Sequence, residues 1–264
     1  MRQLPAKGVL LLIWPAWAQQ PPALNTPVYS QNSIVHAATN RPGKLAPNTI
    51  ATVYGKGLAT MTAAAGPKEV ATGFLPSTYL GSCTSVFVDN FAAPLLFVSP
   101  DQVNFVVPAN LRPGIKLLKI FCDSNAGPKV EVELVDAVPG LFQSDASTII
   151  ATHANGELCT RLKPPVGGEI LILYAAGLGQ TLPSAITGFL ATRAAGIEKQ
   201  SDFQVLLNRQ PLPKDAILYA GIAPGFAGLY QINVKLPASF EMPLEIQLRI
   251  GEEISPEGLF VPGK

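Results

Sequence analysis

The feature that most restricts this chain is that it contains itself twice. Tyr54, Gly57 and Leu58 in IATVYGKGL recur as Tyr174, Gly177 and Leu178 in LILYAAGL. The segment QVNFVVP, 102–108, recurs as QINVKLP, 231–237, and each copy then leads into an apolar run, IKLLKIFC in the first and LEIQLRIG in the second. Three matches in the same order, at offsets of 120 and 129 residues, mark a duplication. The repeated unit is about as long as an ordinary domain, so the duplication predicts a tandem pair rather than a solenoid.

Within each unit the apolar residues alternate. Val103, Phe105 and Val107 oppose Gln102 and Asn104, while Ile232, Val234 and Leu236 oppose Gln231, Asn233 and Lys235. Val130, Val132 and Leu134 stand against Glu131 and Glu133, and Ile246, Leu248 and Ile250 against Glu245, Gln247 and Arg249. Period two puts one face of a strand on a core and the other in water. No stretch keeps a helical period over three turns. Asp89-Asn90 and Asn208-Arg209 sit between strand-like runs, where Asp and Asn tolerate left-handed backbone. Pro94, Pro108, Pro113, Pro139, Pro213 and Pro237 fall at run ends, where a missing N–H breaks no ladder. Charged residues are only 14% of the chain, and 25 prolines and 23 glycines supply the turns. Short strands with frequent turns predict an all-β chain of two tandem immunoglobulin-like β-sandwich domains, 29–145 and 146–264.

Ahead of them, 1–18 reads as a signal peptide. Arg2 and Lys7 give positive charge, Gly8 to Trp14 an apolar stretch too short to span a bilayer, and Ala16-Trp17-Ala18 a cleavage site. Residues 19–28 read as a Pro-rich linker. Cleavage takes the net charge from +1 to −1. A nearly neutral chain without a Lys/Arg cluster predicts no nucleic-acid partner, and no later run is long enough for a membrane span in the mature chain. Export makes the cysteines informative. Cys83 opens one predicted strand and Cys122 closes another in the same domain, which makes them the disulfide candidate, with two buried thiols as the alternative. Cys159 is left over and reads as a small buried hydrophobe.

The stretch SIVHAATNRPGKLAPNTIATVYGKGLA, 33–59, resembles the opening of an uncharacterised Ig-like module of large secreted acidobacterial proteins, the Solibacter-type C-terminal domain. ILYAAGLGQT and LYAGIAPGFAGLYQINVKLP in the second copy follow the same module's pattern. The resemblance implies a sandwich of the IPT/TIG branch, an exported setting and no assigned activity. Departures are the turns, where Asp89-Asn90 and Asn208-Arg209 stand for the usual Asn-Gly, and a shorter VSPD loop in the first copy.

Catalytic chemistry finds little purchase. His36 and His153 are the only imidazoles and neither lies in a recognisable motif. Thr160 to Lys163 has a Thr-x-x-Lys spacing but sits in a predicted loop, and the two histidines and three cysteines are too scattered for a zinc site. Gly177-Leu178-Gly179 and Gly225 to Gly228 are read as turns, because no helix follows them to hold a phosphate. The expectation is therefore no enzyme, no cofactor and no metal. The loop worth singling out is AGIAPGFAGL, 220–229, with Pro224, Phe226 and nearby Tyr230 as a candidate contact loop. Phe226 either touches a partner or plugs the end of the core. The function expected is an exported scaffold or adhesion module with an extracellular protein partner. A carbohydrate-binding or accessory module of an extracellular hydrolase system is the alternative, and exposed aromatic pairs on a sheet face would favour it.

Overall fold

Alternation along the chain becomes sheet pairing in a computed structural model that describes residues 26–263. The signal-peptide segment, and the linker up to residue 25, lie outside the described residues. The first half forms two antiparallel sheets. One runs, in spatial order, Arg41–Pro42, Ile34–His36, Ile50–Tyr54, Gln102–Val106, Leu95–Val98 and Ala63–Ala64. The other centres on Gly114–Cys122, flanked by Thr84–Val88 on one side and by Asn125–Ala126 and Val130–Leu134 on the other, with Phe91–Ala92 beyond. Val53, Val86, Val103, Phe105, Leu118 and Ile120 are wholly buried between them.

The second half repeats this plan. Ala151–His153, Ile170–Ala176, Tyr230–Lys235, Ile217–Ile222 and Ala195–Ile197 pair in sequence as their counterparts do, and Phe203–Leu207 and Ile246–Ile250 head the second layer. The repeat extends to register. Tyr54 faces Gln102 and Tyr174 faces Gln231. Gln102 Nε2 donates to Asn104 Oδ1 at 2.8 Å, and Gln231 donates to Asn233 at the same distance. A β-bulge falls between Leu95 and Phe97 in one copy and between Ile217 and Tyr219 in the other. The chain is thus all-β, two tandem immunoglobulin-like sandwiches, each with its own core.

Both marked turns close hairpins. Asp89 takes φ +52°, and Asn208 and Arg209 take +47° and +66°. Asp89 Oδ1 accepts the N–H of Leu117 at 2.8 Å, and Asn208 Oδ1 accepts that of Glu245 at 2.7 Å. A short polar side chain that reaches the neighbouring strand is what both copies retain. Cys83 and Cys122 form a disulfide across paired strands, their Cα atoms 4.4 Å apart, and Cys159 is free and buried.

Three departures from the expected layout have physical causes. Gly140–Leu141 already pairs with Ile170–Ala176, so the chain enters the second sheet before residue 145. The linker's last residue, Val28, bridges to Lys56, and Tyr29 behind it donates from its hydroxyl to Pro128 O at 2.6 Å. Pro67–Thr72 is a short helix, started by Pro67, held by Glu69 reaching back to the Gly66 N–H, and stopped by Gly73 at φ +74°. Among the described residues no helix is long and apolar enough to cross a membrane.

Candidate functional site

The two sandwiches meet end to end, and the small residues of the sequence explain how closely. His36 ends the strand Ile34–His36 and is 2% exposed. A Cβ on Gly140 would lie 2.6 Å from its Cε1, and one on Gly177 would lie 2.7 Å from its Nε2 and 2.1 Å from the Val138 carbonyl. The glycine repeated in both copies therefore seats a histidine ring in the second. Burial pushes that imidazole down to about 4, against the opposing pull of the carbonyls of Ala176 and Val138. Burial and backbone carbonyls, with no carboxylate, set its titration, so His36 is a packed neutral ring.

Further along the junction, Leu75, Val106, Leu190 and Ala227 form a small apolar cluster of their own. Backbone bonds cross beside it, Leu75 N–H to Gly188 O at 2.8 Å and Leu190 N–H to Gly73 O at 2.9 Å. Gly228 allows the contact loop to lie against Asn48 O and Ile50, where a Cβ would come within 2.9 Å of both. Ala227 and Gly228 of AGIAPGFAGL thus dock on the first sandwich, whereas Gly221 is packed against Ala195 and Tyr219 of its own.

That docking leaves a cavity of about 360 Å³, walled by Val106, Ile186, Phe189, Ile222 and Ala227. Of the phenylalanines near this junction, Phe189 is the one that forms part of the wall. Phe74 and Phe189 stack with centroids 5.1 Å apart, while the Ala191 N–H donates to Phe226 O at 3.1 Å and the Gly225 N–H donates to Ala191 O at 2.7 Å. Phe74 is 50% exposed and Phe226 53%. Phe226 therefore does not plug the core. Pro224 is exposed beside it, but Tyr230 is fully buried with its hydroxyl donating to Gly179 O, so it is the residue that fills the core end and is unavailable for contact. Phe74, Phe189 and Ile186 were missed by sequence reasoning, because their meeting depends on how two loops far apart in the chain pair across the junction.

A second surface bears on the glycan alternative. Phe87 and Phe121 lie edge to face on the outer side of the strands Thr84–Val88 and Gly114–Cys122, centroids 5.7 Å apart at 83°. Lys119 Nζ sits 4.5 Å above the Phe121 ring. The two rings are perpendicular, and the ammonium lies over the Phe121 ring. His153 is a surface group by comparison, with Nδ1 2.9 Å from Glu169 Oε2, and that carboxylate raises its pKa. Among the described residues no three His, Cys, Asp or Glu side chains cluster as metal ligands.

No family model and no curated protein matches this sequence. Solved structures with a similar course include the mixed-linkage glucan utilization locus protein SGBP-B of Bacteroides ovatus, solved with a mixed-linkage heptasaccharide. It is 9% identical at a TM-score of 0.34, over 91% of this chain and 45% of that one. The gamma-CGTase of an alkalophilic Bacillus clarkii is 10% identical at a TM-score of 0.28, over 84% and 23%. The tandem Ig repeats of Dlar are 9% identical at a TM-score of 0.20, over 90% and 96%. The chain spans less than half the length of the first two.

Proposed function

We propose that this chain is an exported, non-catalytic scaffold or adhesion module of the Solibacter-type Ig-like kind, and that it works through a protein contact at the junction between its sandwiches. The observation that carries the reading is the phenylalanine rim. Phe74 stacks on Phe189, which walls the cavity, Phe226 accepts a backbone hydrogen bond from Ala191, another wall residue, and Phe74 and Phe226 are half in water. Large rings left exposed around an apolar hollow are what a protein partner buries, and aromatic anchors supply most of the energy at such contacts. The disulfide and the leader-like 1–18 segment support an oxidising, exported setting. The carbohydrate reading retains the Phe87–Phe121 pair on the outer sheet face, where the rings stand at 83° and Lys119 lies over Phe121.

The test pairs Phe74→Ala with Phe226→Ala. Because both rings are half exposed, the double variant should unfold within about 1 kcal/mol of the parent. It should also lose whatever the parent captures from the secreted fraction of its native cells. Undiminished capture would remove the junction as the contact surface. Binding to a polysaccharide that depends on Phe87 and Phe121 would replace the proposal with the carbohydrate reading.

A further inference from the structure

A second opening lies between the same two sandwiches and has the opposite character. It encloses about 800 Å³, and four cations line it: Arg41 and Lys44 from the first sandwich, Arg209 and Arg249 from the second. Lys44 is held by Glu253 at 2.7 Å, and Arg209 by Glu245 and Glu257 at 3.5 and 3.4 Å. Arg41 and Arg249 are exposed and form no ion pair or side-chain hydrogen bond among the described residues. A chain whose whole net charge is +1 thus brings two unpaired guanidinium groups, from different domains, to one cleft.

The rest of the lining says what kind of anion fits. It contains no Phe, Tyr or Trp, and its one imidazole, His36, is 2% exposed, so a sugar finds no open ring to stack on, but it offers Gln247, Thr39 and Ser255 as hydrogen-bonding side chains. Glu253–Ile254 is the outermost strand of its sheet, so its outward backbone groups have no strand partner, and Ile254 lines the cleft. On the opposite wall Arg41–Pro42 is also an edge strand, where Pro42 denies the ladder a donor and leaves the Arg41 side chain as the contributing group. Guanidinium forks suited to carboxylates beside a free strand edge are the ingredients for binding an extended chain through its side chains and backbone together. The geometry points to an acidic peptide segment, bound in extended form, with its carboxylates on Arg41 and Arg249 and its backbone against Glu253–Ile254.

This site is independent of the phenylalanine rim, and the experiment separates them. A fluorescein-labelled octapeptide alternating Glu and Val is titrated against the full chain by anisotropy, beside the same peptide with Gln for Glu, one interrupted by Pro, and an oligogalacturonate of similar charge. Saturable binding of the Glu-Val peptide is expected, about tenfold or more weaker for the Gln and Pro peptides, and weakening as salt rises. Arg41→Glu and Arg249→Glu, both at exposed positions without partners, should each cut affinity about tenfold, while Phe74→Ala with Phe226→Ala leaves it unchanged. Absence of binding, or binding indifferent to both arginine reversals, overturns the proposal. So does oligogalacturonate binding as tightly as the peptide, which would assign the cleft to acidic glycans, or a Pro-interrupted peptide binding equally well, which would remove the backbone contact.

Discussion

The two sandwiches share a frame and differ at their ends. Val106 and Lys235 hold equivalent places, each paired in the ladder with an isoleucine, Ile50 or Ile170. Val106 is buried in the junction cluster, whereas Lys235 is exposed at the far end of the second copy. His36 and His153 are equivalent in the same way, since they close strands that pair with Ala51 and Leu171. One is sealed between the domains and the other meets Glu169 near water. Residues that set alternation and turns are retained in both copies, while those at strand ends decide whether an end docks. The duplication therefore explains the fold, and the differences between the copies explain the junction.

The largest test of this contrast removes the crosslink that only the first copy has. Cys83→Ser with Cys122→Ser should cost about 4 kcal/mol on the chain-entropy estimate, measured by denaturant unfolding with the second sandwich as internal reference. Equal loss in both halves would mean that the halves do not unfold as separate units.

Exchanging the end residues comes next. Val106→Lys puts an unpaired ammonium into the apolar junction and should cost roughly 3 kcal/mol or part the sandwiches, visible as a longer particle in small-angle scattering. Lys235→Val should leave the fold intact and make the chain associate as concentration rises, read by sedimentation. A monomer at all concentrations would show that this valine alone does not make an end adhesive.

The histidines predict opposite responses to pH. His36 sits below its unfolded value of about 6.5, so the unfolded chain binds the proton more readily. Its contribution is complete above that value and is lost as pH falls towards about 4, worth about 3 kcal/mol in all. His153 is raised by Glu169, so its smaller contribution is present at low pH and fades as pH rises through its folded value. Comparing unfolding of His36→Gln and His153→Gln across that range should show the two slopes reversed. The smallest effect belongs to Cys159, whose thiol is pushed up to about 11 by burial. Maleimide labelling of the native chain should be negligible and become rapid only on unfolding.

Much of this frame was legible in the sequence because it is local. Period-two runs, Asp89 and Asn208 at turns, and Cys83 opposite Cys122 all follow from neighbours along the chain or across one hairpin-like pairing. The helix at Pro67–Thr72 escaped because one and a half turns carry no period, although Gly-Pro, Glu69 and Gly73 spell its ends. The candidate site was legible only in part. Phe226 and Pro224 are exposed on their loop, but Tyr230 follows the inward row of its strand into the core. Glu245 and Gln247 look like a solvent face in the sequence, yet they are buried because Ser255 and Gly258 fold back onto them. Partners supplied by a distant segment leave no mark on local alternation.

The paired bulge carries one further implication. Leu96 and Leu218 are supernumerary: each is a single residue without an opposite number on the neighbouring strand. Such an insertion is hard to lose, since deleting it would change the parity of the strand and turn every side chain before it inside out. In the first half the spare leucine packs beside the junction cluster, while in the second it is 50% exposed. An irregularity fixed by ancestry has become mortar in one copy and an idle peg in the other.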